Sequence, residues 1–438
     1  MKNIKSISSA MLNQFEKDFN SDPNLQILSN MMSGLTLTEA SFVPSAASKL
    51  RMDFSVEVPT TGITAQKQSG RCWMFAGMNM MRERVVKKCN LKDFALSGTY
   101  LAFYDKLEKG NNFFEAILHY ADDPIDSREN EILLKTGLAD GGQWDMVKSI
   151  VHKYGVVPSW IMPETKHSTG TAVWKEVVNE KMRENALELR KLHQEGKNTD
   201  VRREEMLSEL YKILCILYGQ PTKSFDFEYT DKDGVYHCER ELTPHTFFEK
   251  YVGDDLDEYI GIISAPHHEY NKTYCQPFLG DVVEDDIFWL NLSMDELEEM
   301  AVAQLKSGES VYFSCDCRVY RDRDKGIWDQ DSFDYGSVLG GITLGMTKKE
   351  KLLTRSSSMN HCMLFCGVNF DANGKPDRWK IENSWGDTAG QKGYFIGSEK
   401  WFREYVHQVI IKKELLKDVQ KELLNQEPIP MNLWDPFA

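Results

Sequence analysis

Residues 66–76 read QKQSGRCWMFA, a short polar run followed by an apolar one. The small residues Ser69 and Gly70 predict a loop whose backbone can approach a substrate closely. The apolar run that begins at Cys72 predicts the first turn of a helix over residues 72–89. The unpaired N–H groups and the positive dipole end of a helix N-terminus stabilise a thiolate. Cys72 is therefore predicted to be a nucleophile, although a buried core cysteine is the simpler alternative.

A cysteine nucleophile needs a histidine base, which stands far downstream in the sequence of such enzymes. The chain has ten histidines. His361 is the best placed, because it opens a predicted strand and is flanked by small and polar residues. His407 also precedes a predicted strand, but no neighbouring residue could orient it. The sequence therefore indicates His361 as the base.

Asn383 is the residue predicted to orient His361. The predicted strands 363–370 and 379–383 flank the sequence DANG at 371–374, a strong turn signal. In a regular hairpin His361 and Asn383 would face each other, with Cβ atoms about 4.5–5.5 Å apart. An amide in that position can hold the tautomer and orientation of the imidazole. A bulge would change this register, and an ordinary strand-end role for Asn383 is the alternative.

The stretch 66–75 resembles the papain superfamily signature, in which a glutamine stands six positions before a Cys-Trp pair. This resemblance implies that Gln66 and the Cys72 backbone N–H form the oxyanion hole, where such donors lower a barrier by about 3–4 kcal/mol. By position alone, Gln68 is a rival donor. The run NSW at 383–385 matches the same superfamily, which implies that the Trp385 ring covers the Asn–His hydrogen bond from water.

Over essentially its whole length the chain resembles the bleomycin hydrolase and aminopeptidase C family, and within it the shorter-tailed bacterial aminopeptidase E and G types. The 289 positions from Cys72 to His361 exceed the usual papain-like spacing of about 130–150, which fits a large insertion. The further matching segments are 140–145 (DGGQWD), 154–158 (YGVVP), the strand at His361, and 382–386 (ENSWG). The resemblance implies a cytoplasmic homohexamer that hydrolyses oligopeptides as a thiol protease.

The same resemblance gives expectations for the substrate-binding residues. It implies that the backbone of Gly141 and Gly142 binds an extended substrate, although an ordinary turn is an equal alternative. In the aminopeptidases of the family, the carboxylate at the end of a C-terminal arm captures the substrate amine, a role that falls to Ala438 here. The arm is a few residues shorter than in those enzymes, about 10 Å of reach, so endopeptidase action is a second expectation.

The fold class expected is α+β, because the early half has helical patterns and the late half is rich in short strands. The family resemblance makes this a papain-like core with large inserted helical and hook regions. The expected divisions are an N-terminal arm and helical half over 1–165, an inserted helical and hook region over 166–262, a β half over 263–426, and a C-terminal arm near the cleft over 427–438.

Composition limits the partners and the location. The formal charge of −15 without a long Lys/Arg run argues against nucleic acid as the main partner. The sequence has neither a secretory signal pattern nor an apolar stretch of about 18 residues, so no membrane association is expected. Nine scattered cysteines favour free thiols in the cytoplasm. The cysteine and aspartate groups lack metal-ligand spacing, so neither a metal nor another cofactor is expected, and His267 and His268 are interpreted as surface residues.

Two other classes of function remain open at this point. A Cys–His pair also serves acyltransferases and amidases, which would transfer the acyl group to an amine acceptor. A non-enzymatic binding protein on the same scaffold is the third interpretation. The complete set of Gln66, Cys72, His361 and Asn383 favours a peptidase over both.

Overall fold

The computed structural model describes residues 5–253 and 255–437. The first part is an arm of short helices that leads into the core. Its elements are α1 (Ser9–Ser21), α2 (Pro23–Met32), α3 (Leu37–Ser41), α4 (Pro44–Ala47) and the short strand β1 (Val56–Glu57). Strand β1 forms backbone pairs with a strand from the late half of the chain, so the arm ties the two halves together.

The helical half follows and holds the predicted nucleophile at its first helix. Its helices are α5 (Cys72–Lys88), α6 (Gly98–His119), α7 (Arg128–Thr136), α8 (Trp144–Tyr154) and α9 (Lys166–Thr169). Helix α5 ends where the sequence indicated, since Cys89 is its C-cap and Asn90 takes a positive φ of 51°.

An inserted region comes next. It consists of the helices α10 (Ala172–Gln194) and α11 (Asp200–Tyr218), the hairpin β2 (Phe225–Thr230) and β3 (Tyr236–Leu242), α12 (Pro244–Phe247), and single turns at Phe248–Val252 and Asp255–Glu258. The hairpin is a two-stranded sheet of its own.

The β half contains the main sheet. Its elements are β4 (Tyr259–Ile263), β5 (Lys272–Gln276), β6 (Ile287–Asn291), α13 (Met294–Lys306), β7 (Val311–Cys315), β8 (Arg321–Asp322), β9 (Ile327–Trp328), α14 (Tyr335–Val338), α15 (Lys348–Leu353), β10 (His361–Phe370), β11 (Pro376–Glu382), β12 (Tyr394–Ser398), α16 (Glu399–Tyr405), β13 (Val406–Lys412), a turn of 3-10 helix at Lys413–Leu415, α17 (Asp418–Leu423) and β14 (Ile429–Pro430).

The twelve strands of the main sheet follow the order β14-β5-β6-β4-β13-β7-β10-β11-β12-β9-β8, with β1 on β10. Most pairs are antiparallel, and β4 pairs with β6 and β13 at the centre. The expected division between residues 262 and 263 falls inside β4, a strand of this sheet. Most of the long helices come early in the chain and most strands come later, so the fold is α+β, as the sequence predicted.

Two apolar cores lie on opposite faces of the sheet. One joins the helical half to the sheet and includes Trp73, Trp144 and Leu364. The other packs α13 and α16 on the far face around Phe365 and Trp379. Alternation along β10 feeds both cores, because successive side chains of a strand point to opposite faces. The first core brings the start of α5 against the start of β10, and the predicted site residues meet there.

Candidate active site

The loop before Cys72 is held rigidly by its own side chains. Ser69 Oγ donates to the Gln66 carbonyl oxygen at 2.5 Å, and Arg71 Nε donates to Ser69 Oγ at 2.8 Å. Gly70 has a φ of 62°, and a Cβ there would lie 2.6 Å from the Cβ of Asp140. Both the turn and the close approach therefore require glycine at this position. The result is a fixed entry to α5 that places Cys72 at its first residue.

Cys72 is 8% exposed and borders a cleft of about 340 Å³. Arg71, the N-cap residue, makes no side-chain hydrogen bond to the helix, so the first N–H groups are not capped by their own N-cap side chain. The Cys362 thiol beside it and burial raise the pKa of the Cys72 thiol, while His361 lowers it. The dipole of α5 acts in the same direction as His361. On balance the pKa of the Cys72 thiol lies above its ordinary value, so the thiol is protonated in this arrangement, and His361 is the adjacent group that can take its proton.

His361 and Asn383 form a buried hydrogen-bonded pair. His361 Nε2 lies 2.9 Å from Asn383 Oδ1, and the two residues are 5% and 1% exposed. An amide oxygen accepts from a ring N–H, so in the neutral imidazole this contact places the proton on Nε2 and leaves Nδ1 as an acceptor.

The register of the β10–β11 hairpin differs from the regular one. The last pair before the site is Leu364 with Glu382, and the ladder shifts between Phe365 and Gly367. His361 instead pairs with Cys315 of β7. His361 and Asn383 are thus diagonal rather than directly opposed, and their side chains span the offset.

Trp385 covers the pair from one side. Its ring centroid lies 5.0 Å from that of His361, with the planes tilted by 30°. The guanidinium carbons of Arg321 and Arg323 lie 5.7 and 5.3 Å from the Trp385 centroid, which holds the ring from the solvent side. Trp385 therefore shields the His361–Asn383 hydrogen bond and does not line the cleft itself.

Gln66 borders the cleft, and its amide is oriented by a residue that the sequence analysis did not identify. Ser384 Oγ donates to Gln66 Oε1 at 2.7 Å, which leaves the amide N–H₂ as the group available to the cleft. Gln66 N also donates to the Ser384 carbonyl oxygen at 2.8 Å. The position of Ser384 inside the NSW run was the available signal. Gln68, the rival donor, is exposed and pairs its backbone with residues 169–171.

Gly141 and Gly142 form part of the cleft wall. Trp73 Nε1 donates to the Asp140 carbonyl oxygen at 2.8 Å, and Lys109 Nζ donates to the Gly141 carbonyl oxygen at 2.6 Å. A Cβ on Gly142 would lie 2.5 Å from the buried Trp73 ring, whereas a Cβ on Gly141 would meet nothing within 4 Å. The loop is thus pressed against the helical half, and Gly141 faces open space.

The C-terminal arm reaches the same wall. Gln143 Nε2 donates to the Phe437 carbonyl oxygen at 3.3 Å, and the Met359 N–H donates to the Pro436 carbonyl oxygen at 3.2 Å. Leu433 lines the cleft itself. Ala438, the residue expected to meet the substrate amine, lies outside the described residues.

His407, the other histidine considered as a base, lies away from the cleft lining. It is fully buried, and its Nε2 lies 3.0 Å from Ser357 Oγ. Burial lowers the pKa of His407 well below its ordinary value. A larger cavity of about 520 Å³ near Arg84 and Tyr259 has neither cysteine nor histidine among its described lining residues. The cleft at Cys72 is therefore the site with the means for nucleophilic catalysis.

An α+β fold with a thiol at a helix start, beside a buried His–Asn pair on the facing sheet, is the arrangement of papain-like cysteine peptidases. The comparisons with known proteins agree with this class. Residues 6–438 match the model of the Peptidase C1-like family, and the chain belongs to that family.

Curated relatives match nearly the full chain. Aminopeptidase G of Lactobacillus delbrueckii subsp. lactis is 41% identical, and aminopeptidase E of Lactobacillus helveticus is 40% identical, each over 98% of both chains. The crystal structure of PepW from Lactobacillus rhamnosis HN001 superposes with a TM-score of 0.96 at 40% identity, covering 99% of this chain and 98% of that one. The resemblance to the aminopeptidase C, E and G group is confirmed, and the protein is a cysteine-type peptidase.

None of the helices in the described part of the chain is long and apolar enough to cross a membrane.

Proposed function

We propose that this protein removes residues from the N-terminus of oligopeptides, with Cys72 as nucleophile and His361 as its base. The observation that carries the proposal is the 2.9 Å contact between His361 Nε2 and Asn383 Oδ1, deep in the wall of the cleft that Cys72 borders. A histidine fixed in this way can take the thiol proton and return it to the leaving amine.

The reaction is an acyl transfer. The Cys72 thiolate attacks the scissile carbonyl carbon, and the carbonyl oxygen becomes an oxyanion that accepts hydrogen bonds from the Gln66 side-chain amide and the Cys72 N–H. His361 protonates the leaving amine as the C–N bond breaks. Water, deprotonated by His361, then attacks the thioester carbonyl and releases the acid. Asn383 keeps the imidazole oriented, Trp385 keeps water from that hydrogen bond, and the Gly141–Gly142 backbone holds the extended substrate.

The C-terminal arm supports exopeptidase action over endopeptidase action. Phe437 is fully buried, and its carbonyl oxygen is held by Gln143 at the edge of the cleft. An arm fixed there limits how far a substrate extends beyond the cleaved bond on that side. The relatives named aminopeptidases favour the same choice.

A cytoplasmic homo-oligomer, with a hexamer as the family expectation, completes the proposal. All nine cysteines are free thiols, which suits a reducing compartment. Phe15, Phe19 and Ile27 on α1 and α2 are all exposed by more than 40%, and exposed apolar side chains on adjacent helices are typical of surfaces that bind a partner. Size-exclusion chromatography with light scattering measures the assembly directly.

The test of the activity uses one oligopeptide with a free N-terminus and the same peptide N-acetylated, with products identified by mass spectrometry. We expect stepwise loss of N-terminal residues from the free peptide only, and no cleavage of either by Cys72→Ala. Cys238→Ala, which removes an exposed thiol of the β2–β3 hairpin, is the matched control and should keep full activity. Internal cleavage of the acetylated peptide would establish endopeptidase action instead. Adducts with an added amine acceptor, in place of hydrolysis, would indicate an acyltransferase.

A further inference from the structure

Two adjacent histidines converge on one carboxylate of the C-terminal arm. His268 Nε2 lies 2.8 Å from Asp435 Oδ2, and His267 Nε2 lies 3.5 Å from the same oxygen. One nitrogen or oxygen from each of the three residues falls within 4.8 Å of the other two. Two ligands on a tetrahedral zinc ion stand roughly 3.3 Å apart, given bond lengths of about 2.0–2.1 Å. The observed separations therefore bracket the geometry of a metal site.

His267 is not a surface residue, contrary to the expectation from sequence. Its side chain is 4% exposed, because the ring of Phe437 packs on it with centroids 5.4 Å apart. Neither of its ring nitrogens makes a hydrogen bond of normal geometry with any described residue. A buried imidazole in that condition carries a free-energy penalty, which a ligand at one nitrogen would remove. His267 thus points to a partner that protein atoms in the described ranges do not supply.

The chemistry of the three donors suits one class of ligand. Zinc and its neighbours in the first transition row bind a set of two imidazoles and one carboxylate more readily than calcium or magnesium does. The His268 side chain is a quarter exposed, which leaves a path for the ion and an open position for water.

We propose that His267, His268 and Asp435 bind a divalent transition-metal ion of the zinc class. The ion joins the loop that follows β4 to the C-terminal arm and so fixes the arm against the wall of the cleft. The inference concerns binding of the ion and does not depend on the proposed peptidase specificity.

The first experiment measures metal uptake by the full-length protein. The protein is incubated with Zn²⁺ and passed through a desalting column, and bound metal is counted by plasma mass spectrometry. His268→Gln and Asp435→Asn remove one ligand each with little change in volume. We expect both variants to retain much less zinc than the parent protein. The loss of a ligand should lower the affinity for zinc by more than the roughly 10- to 100-fold that loss of a supporting residue causes. His237→Gln is the matched control, because His237 Nε2 also lies 2.8 Å from an aspartate oxygen, that of Asp231.

The free thiols could also take up zinc, so a second measurement identifies the ligands. Co²⁺ bound by thiolates gives intense near-ultraviolet absorption, and Co²⁺ bound by imidazole and carboxylate does not. We expect the uptake lost in His268→Gln to carry no thiolate band, and amide hydrogen exchange over residues 431–437 to slow when Zn²⁺ is added to the parent protein. Equal uptake by the parent protein and His268→Gln, or no uptake by either, would overturn the proposal.

Discussion

At the scale of single residues, the site depends on hydroxyl and amide groups that hold other side chains in place. In the proposed mechanism, Gln66 can donate to the oxyanion only while its N–H₂ group faces the cleft. Ser384 fixes that orientation through its bond to Gln66 Oε1. On that mechanism Ser384 is a positioning residue, and its removal should affect the chemical step more than substrate binding.

Replacement of this hydroxyl gives the first prediction. Ser384→Ala frees the Gln66 amide to rotate, and we expect kcat to fall about tenfold, a part of the ~2.7–4 kcal/mol that one oxyanion donor contributes, with KM nearly unchanged. Ser307→Ala, which removes a hydroxyl bonded to the Gln304 carbonyl oxygen away from the cleft, is the control. A change confined to KM would indicate that Ser384 shapes the cleft instead.

A second thiol changes the pKa of the predicted nucleophile. Cys362 lies beside Cys72 and raises the pKa of its thiol, whereas the bonds that Cys362 receives from Cys72, Ser314 and Tyr312 lower its own pKa despite burial. Cys362→Ala should lower the Cys72 pKa, because the Cys72 S–H then loses the acceptor that stabilises its protonated form. We expect the pH profile of Cys72 alkylation by iodoacetamide to shift towards lower pH. Cys366→Ala, a buried thiol further along β10, should leave that profile unchanged.

At this scale, several residues of the candidate site could be named from the sequence, but not all the contacts between them. The sequence indicated Gln66 by its spacing from Cys72, and it indicated His361 and Asn383 by the predicted strands around them. Each of these signals is local in the sequence. Ser384 and Cys362 were not singled out, because their roles come from distances across the fold. The same holds for His267, whose burial depends on an arm almost 170 residues later.

At the scale of elements, the loop before α8 is shaped by contact with α5 and α6. The carbonyl oxygens of Ala139 and Gly141 accept hydrogen bonds from Lys109 Nζ at 3.1 and 2.6 Å. These bonds turn one edge of the loop inward, so the other edge is presented to the cleft. Trp73 fills the space behind Gly142 and excludes any side chain there.

The two glycines of this loop give a matched pair of variants. Gly142→Ala places a methyl group against the immobile Trp73 ring, and we expect a loss of about 1–3 kcal/mol in unfolding free energy together with reduced activity. Gly141→Ala adds the same methyl group in open space and should leave the unfolding free energy unchanged. Chemical denaturation of both variants measures the difference. Equal destabilisation would mean that backbone flexibility, and not the contact with Trp73, explains the glycines.

For the hairpin of β10 and β11, the sequence predicted the elements but not the pairing between them. Its turn and both strands were readable from the DANG run and from the β-branched and aromatic residues on either side of it. Its register was not, because the strands close on Phe370 with Pro376, two positions further along β11 than a direct pairing of His361 with Asn383 requires. His361 and Asn383 still meet, since side chains two positions apart across a ladder remain within reach.

At the scale of the whole molecule, a buried ion pair joins the helical half to the sheet. Arg82 of α5 donates to Glu382 of β11 at 2.9 Å, and both side chains are almost completely buried. Burial lowers the pKa of Arg82, but Glu382 and Glu83 raise it more, so the guanidinium stays charged. Glu382 directly precedes Asn383, so this pair fixes the seam next to the site.

Removal of the cation should affect stability strongly. Arg82→Met leaves Glu382 buried without its partner, and we expect the unfolding free energy to fall by about 3–5 kcal/mol. Glu382→Gln in the same chain should recover part of the loss. Arg403→Met, which breaks a surface pair with Glu298, should cost about 1 kcal/mol or less. Similar losses for Arg82→Met and Arg403→Met in urea unfolding would contradict this assignment.

The separation of the two halves along the chain also has a consequence for biosynthesis. Cys72 belongs to the helical half, whereas His361 and Asn383 come from strands made late. A ribosome adds about 5–20 residues per second, so roughly 15–60 s pass between synthesis of the nucleophile and synthesis of its partners. The nascent chain therefore has a thiol without a base for most of its translation. On the proposed mechanism, peptidase activity is therefore acquired only near the end of synthesis.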